Sequence, residues 1–201
     1  MNGELVDRLT IREVIESSFI WRDSAQWDRF ASLWHPEGRM IATWFQAPAA
    51  EFIARSRKAW EAGMTALHAT FGISIDLAGD RAIAMTKTSI MQRAEVHGCL
   101  VDVICYGRFR DALEKRDGAW KFLLRQPIYE LDHMIPVVPG RAPALDPALL
   151  ASFPEGYRNL AYLQTQLGFE VTKSMPGTRG PEIEALLERG RAWLAGETGT
   201  P

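Results

Sequence analysis

The feature that most constrains this chain is a change of period near residue 65. Before it, Leu5, Leu9, Val14 or Ile15 and Phe19 recur at helical spacing, with Glu4, Asp7, Arg8, Arg12, Glu13 and Glu16 opposite them. That is the signature of an amphipathic helix. After it, Phe71, Ile73, Ile75 and Leu77 alternate with Gly72, Ser74 and Asp76, and longer runs follow over Ala82 to Arg93, Leu100 to Leu113 and Ala119 to Leu131. Gly79-Asp80, Glu95-Val96-His97-Gly98 and Arg116-Asp117-Gly118 separate these runs as hairpin turns. Helices followed by an antiparallel meander make an α+β domain, not an alternating α/β one.

Within the helical third, Ser24 is positioned to cap a second helix whose apolar face is Trp27, Phe30, Ala31 and Trp34, ended by Pro36-Glu37-Gly38. Arg39 to Phe45 reads as a short strand. Pro48-Ala49-Ala50-Glu51 opens a third helix that buries Phe52, Ile53, Ala59 and Trp60 and stops at Gly63. In the long run from Leu100, the residues Val101, Val103, Cys105, Gly107 and Phe109 share one face, and Asp102, Tyr106, Arg108 and Arg110 the other. Past Asp132 the chain carries Pro136, Pro139, Pro143 and Pro147, an extended connector, and then two more helical patterns. Leu160, Leu163 and Leu167 belong to one, Ile183, Leu186, Leu187 and Trp193 to the other. Some 60 residues are too few for a core of their own. Residues 1–135 are therefore expected to form the domain, and 136–201 an extension packed on it or on a partner subunit.

A formal charge of -2 offers no general attraction to nucleic acid or to an anionic bilayer, and suits a small neutral substrate. The start, Met1-Asn2-Gly3-Glu4, lacks the basic and apolar regions of a secretory signal, and no apolar run approaches the roughly 18 residues that span a membrane. A cytoplasmic protein is expected. Cys99 and Cys105 are six positions apart on one strand, about 20 Å at ~3.3 Å per residue, too far for a disulfide. Thiolate zinc spacing, a Gly-rich phosphate loop, a nucleophile elbow and a His-Glu-x-x-His helix are all missing from the sequence.

The residues that carry chemistry best are Asp23, a carboxylate in a helix–helix corner among aromatics, and His68, an imidazole at the start of a strand. A neutral imidazole takes a proton near pH 7, and a carboxylate on its other nitrogen fixes the tautomer and stabilises the imidazolium. His68 would be the base and Asp23 its orienter, with the roles exchangeable. The competing reading makes Asp23 a helix cap and His68 a core histidine bonded to backbone. Trp44 and Trp21 are expected to face the cavity, with Met91, Cys105 and Phe109 as apolar lining. Arg125 would stabilise a developing anion or leaving group. Strict alternation with Trp120, Phe122 and Leu124 turns it outward, so only a bulge or strong twist brings it in.

Two stretches carry a resemblance. The run Arg22-Asp23-Ser24-Ala25-Gln26-Trp27 through Phe30, Leu33-Trp34 and Pro36-Glu37-Gly38 is similar to the opening of SnoaL-like proteins of the nuclear transport factor 2-like superfamily. Gly107-Arg108-Phe109-Arg110-Asp111 with Arg116-Asp117-Gly118-Ala119-Trp120-Lys121-Phe122 resembles their closing hairpin. The match spans about residues 5–135. It implies a cone: a curved antiparallel sheet wrapped around the N-terminal helices with an apolar pocket inside, followed here by a helical C-terminal extension. Enzymatic members, which include scytalone dehydratase, bile acid 7α-dehydratase and hexachlorocyclohexane dehydrochlorinase, use an Asp–His dyad with no metal or organic cofactor, and Asp23 and His68 match its positions. Others bind or assemble without catalysis. The second pocket histidine of scytalone dehydratase has no counterpart near Met91 to Arg93, and Trp21 and Arg22 stand where dehydratases carry a tyrosine.

The expectation is a cofactor-independent lyase, dehydratase-like or dehydrohalogenase-like and in one variant aldehyde-releasing, acting on a hydrophobic aromatic or cyclic molecule. The alternatives are a binding or assembly protein, an isomerase, or an epoxide hydrolase, which wants an Asp–Arg–Asp arrangement. Tyr106, Arg108, Arg110 and the tail suggest a homodimer or higher homo-oligomer.

Overall fold

The computed structural model describes residues 2–201. Helix α1 (Asn2–Asp23) runs further than its apolar stripe, so Asp23 is its last residue and not the first beyond it. The helix buries Ile11, Val14, Ile15 and Phe19, whereas Leu5 and Leu9 lie more than half exposed. Ser24 caps no helix: its hydroxyl donates back to the Ile20 carbonyl at 2.6 Å. Helix α2 (Trp27–Ser32) begins after Gln26 without a side-chain cap and is over by Leu33.

Trp34 already belongs to strand β1 (Trp34–Ile41), which takes in the expected helix stop Pro36-Glu37-Gly38. Tertiary pairing overrides the local signal there. Trp34 sits opposite Phe122 and Arg39 opposite Leu124, with a register shift between them, and such an irregularity is where a strand accepts a proline. A side chain at Gly38 would press against the carbonyls of His35 and Phe122, at 2.9 and 3.0 Å. Strand β2 (Gln46–Pro48) and helix α3 (Ala49–Glu61) follow, with Phe52 and Ile53 buried as expected and Trp60 45% exposed instead.

Strands β3 (Ala66–Ala78), β4 (Arg81–Val96), β5 (Cys99–Arg116) and β6 (Ala119–Pro136) complete a curved open sheet in the order β2-β1-β6-β5-β4-β3. All pairs are antiparallel except β1 with β6. On the inner face, Phe109, Leu113 and Phe122 pack against Ile15, Phe19, Phe30 and Phe52 of the helices. Three bulges in the meander reset the alternation, one of them at Glu130 opposite Tyr106 and Gly107. Another between Thr70 and Gly72 turns Phe71 out to 65% exposure, away from Ile73, Ile75 and Leu77. The third falls at Leu123 and matters for the site.

The extension packs on both faces of this sheet. Helix α4 (Pro147–Ala151), a 3₁₀ turn over Glu155–Tyr157 and helix α5 (Arg158–Gln166) fill the remaining inner face over Val101, Val103, Cys105 and Tyr129. Asp132 holds the start of α5, accepting from the Leu160 N–H at 2.7 Å and the Asn159 amide at 2.8 Å. The Thr172 N–H donates to the Thr43 carbonyl at 2.9 Å. Helix α6 (Pro181–Leu194) then crosses to the outer face, where Ile183, Leu186 and Trp193 cover Ile83, Ala112, Leu124 and Ile128. Arg110, expected to face a partner subunit, lies instead under α6 at 0% exposure, so close that a side chain at Gly190 would collide with it. Cys99 and Cys105 are free thiols.

Candidate active site

The last turn of α1 delivers Asp23 to the third residue of β3. Asp23 Oδ1 lies 2.7 Å from His68 Nδ1, and Oδ2 accepts the His68 backbone N–H at 2.6 Å. One carboxylate thus holds both the ring and the strand that carries it. A carboxylate only accepts, so the ring proton sits on Nδ1 and the lone pair on Nε2. The His68 side chain is 5% exposed and lies among aromatic rings, with Phe19 at 5.7 Å and Phe109 at 6.4 Å between centroids. Burial and then the Arg22 cation hold the His68 pKa below its ordinary 6.5, against the opposing hydrogen bond and charge of Asp23. Neutral imidazole is therefore the resting form at pH 7.

Arg125 is inside the molecule. Strict alternation from Trp120 and Phe122 would have put Leu124 in and Arg125 out. The extra residue at Leu123 reverses the parity, sending Leu124 to the outer face under Trp193 and Arg125 inward at 3% exposure. Its Nε and Nη2 donate to the two oxygens of Asp111, directly opposite on β5, at 2.7 and 2.8 Å, and Nη1 donates to Ser18 Oγ at 2.8 Å. Its guanidinium also lies over Phe122, Phe19 and Phe109, at 4.4, 4.6 and 5.1 Å from the centroids. The cation is fully paired yet keeps N–H donors for the cavity it lines.

Two adjoining chambers meet at these residues. The inner, of about 50 Å³, is lined by His68, Arg125, Phe19, Phe109, Ile90 and Tyr129 among others. The outer, of about 110 Å³, has aromatic walls in Trp27, Trp44, Trp60 and Phe169, and reaches Asp23. Arg22, Trp44, Ala66, Gln92 and Gln164 border both. Trp44 and Phe109 therefore lie where the sequence pattern put them. Three expected lining residues do not. Trp21 lies against Arg29, whose guanidinium is 4.2 Å from its ring, and borders neither chamber. Met91 points to the other side of β4, because its neighbours Ile90 and Gln92 take the inward positions. Cys105 is on the inner face but beneath the extension, with Sγ 3.7 Å from the Gly156 carbonyl, and burial pushes its thiol pKa up.

Sequence reasoning missed Arg22, Thr43, Gln92, Leu160 and Gln164. Gln92 was legible from its parity with Ile90, and Leu160 with Gln164 from their one-turn spacing. No signal in the sequence said that α5 would cover this cavity. Among the described residues no group of three His, Cys, Asp or Glu side chains stands close enough to hold a metal ion.

A curved open sheet closed by N-terminal helices over an apolar cavity defines the nuclear transport factor 2-like class. The chain belongs to the SnoaL-like domain family, whose match covers residues 3–126. It is 37% identical over 203 residues to Pea pathogenicity protein 2 of Fusarium vanettenii, an alignment covering 96% of this chain and 87% of that protein. Among solved structures, it resembles a scytalone dehydratase candidate from Novosphingobium aromaticivorans, with a TM-score of 0.57 at 20% identity, covering 70% of this chain and 98% of the other. It likewise resembles a type 2 hexachlorocyclohexane dehydrochlorinase, with a TM-score of 0.55 at 16% identity, covering 72% and 96%. At those identities the structures speak for the fold alone. The family match ends within β6, before the extension that supplies Leu160 and Gln164.

Proposed function

We propose that the protein is a cofactor-independent lyase that eliminates water or a halide from a hydrophobic aromatic or cyclic molecule. The observation that carries this reading is the 2.7 Å contact between Asp23 and a buried His68 at the wall of an apolar cavity, within the reach that general acid–base work needs. His68 Nε2 removes a proton from the carbon beside the leaving group, and the C–H bonding pair becomes the new π bond. The leaving group departs with its own pair, as halide, or as water after taking that proton back from His68. Asp23 stabilises the imidazolium in between, and Arg125 offers N–H donors to the departing anion. The epoxide hydrolase alternative has two of its three groups in Asp111 and Arg125, but Asp23 is committed to His68.

His68→Ala and Asp23→Asn are each expected to lower turnover about 10²–10⁴-fold, with unchanged circular dichroism, in a screen of aromatic diols and halides followed by alkene formation. Full activity in either variant rules the dyad out. A binding role without catalysis is favoured by one observation: Arg22 Nη1 lies 3.1 Å from both ring nitrogens of His68, over the ring face, so a cation opposes protonation of the base. A protein that binds such ligands and never turns them over fits that second reading.

Homodimerisation belongs to the same proposal, with a changed surface. Arg110 is covered by α6, while Leu67, Phe71, Leu131 and Ile135 on the rest of the outer face are 46–65% exposed. Phe71→Lys is expected to shift sedimentation toward monomer. Among the described residues no helix is long and apolar enough to cross a membrane.

A further inference from the structure

The residues where the two chambers meet are more polar than the walls on either side. Gln164 of α5 is 3% exposed, and its Oε1 accepts the Thr43 hydroxyl at 2.6 Å. Its Nε2 then faces Gln92 Oε1, at 3.4 Å, so the NH₂ end of Gln92 is left for the cavity. Opposite, the Arg22 side chain is only 19% exposed and its nearest carboxylate oxygen, Asp23 Oδ1, is 3.6 Å away. Both oxygens of Asp23 already serve His68, at 2.7 and 2.6 Å. Arg22 is thus a buried cation without a carboxylate of its own, in contrast to Arg125, which holds Asp111 with two bonds.

We propose that this neck, formed by Arg22 and Gln92 and set by Gln164 and Thr43, binds the carboxylate of a monocyclic aromatic or alicyclic acid, which is the substrate class of the lyase. The proposal rests on the lyase reading for the word substrate, not for the site. A guanidinium fork plus a neutral amide donor matches one planar monoanion; a phosphate dianion would bring a second charge beside Asp23. The volumes agree with a single ring. Neither chamber alone reaches the ~150 Å³ of a cavity that accepts benzene, whereas the two together do. The ring then spans the two chambers along Trp44, with the carboxylate at the neck and the leaving-group edge turned toward His68 and Arg125. Because the Arg22 cation sits 3.1 Å from both ring nitrogens, over the face of the His68 ring, and opposes its protonation, a carboxylate that draws the guanidinium away also strengthens the base. Acid recognition and activation of His68 become one movement.

Titration calorimetry with benzoate and its neutral isostere benzamide tests this on the full chain. Wild-type protein is expected to bind benzoate at least about tenfold more tightly than benzamide, and excess inorganic phosphate not to compete. Arg22→Gln is expected to erase the preference, Arg22→Lys to retain part of it, and Gln92→Leu to weaken benzoate several-fold. Equal binding of the two probes by wild type, a preference that survives Arg22→Gln, or displacement by phosphate overturns the proposal. The wild-type comparison stands even where a variant fails to fold. Asp23→Asn separates the two readings: it is expected to stop turnover yet keep or tighten benzoate binding. Benzoate preference in a protein that eliminates nothing leaves the site standing and the lyase reading overturned; elimination without that preference does the reverse.

Discussion

Two buried arginines on the two faces of the sheet make an instructive pair. Arg125, on the inner face, has three nitrogen–oxygen bonds of 2.7–2.8 Å and three phenylalanine rings around it. Arg110, on β5 next to Asp111 but pointing outward, is just as buried, and none of its nitrogens has a hydrogen-bond partner among the described residues. Burial, with Arg189 nearby, lowers its pKa to about 10 against the opposing pull of Asp111. Burying a charge costs free energy unless it is paired. The inner face has met that condition around a cavity; the outer face has not, and α6 is held there mainly by Ile183, Leu186 and Trp193.

The contrast breaks most visibly if the inner pair is cut. Asp111→Ala leaves Arg125 buried and unpaired, and is expected to cost about 3–5 kcal/mol in urea unfolding together with most activity. Arg110→Met is expected to change stability with the opposite sign, raising it by about 1–3 kcal/mol because an unpartnered polar group leaves the interior. A loss there would mean that Arg110 has a partner and that the two faces are alike. The sign of the pH effect comes from the lowered pKa. At pH 7 the folded state carries the whole penalty of the charged Arg110, and it is relieved only as pH rises from about 10 toward the ordinary guanidinium range, so the Arg110→Met gain should be constant between pH 6 and 9.

The smallest expected effect sharpens the inner face alone. If the protein is the proposed lyase, the His68 pKa held down by burial and Arg22 is expected to place the acid limb of kcat/KM below the ordinary imidazole value. Replacing Arg22 with Gln is expected to move that limb upward, measured on any substrate that still turns over. A limb that moves down, or stays, would mean that Arg22 does not act on His68.

Much of this site was readable in the residues themselves. The change of period announced helices followed by a meander, and the pairing of Asp23 with His68 came from a carboxylate and an imidazole placed where the SnoaL-like pattern puts them. What failed were the parities. Leu123 and Phe71 look like any strand residues, yet each is the extra one at a bulge, and each reverses which side chains its strand turns inward. Trp34 to Gly38 reads locally as a helix and its stop, but it lies against Phe122 and Leu124 as a strand. Met91 was misplaced by one residue, which on a strand is a change of face.

The sequence by itself determined the fold class, because hydrophobic period is a local property, and its resemblance to SnoaL-like proteins pointed to the family and to the pairing of Asp23 with His68. Only the tertiary structure decided that Arg125 turns inward while Arg110 is trapped under α6, and that Gln164 from the extension closes the cavity. Those outcomes depend on strand register and on which distant surfaces meet, and both are settled by the packing of the whole chain.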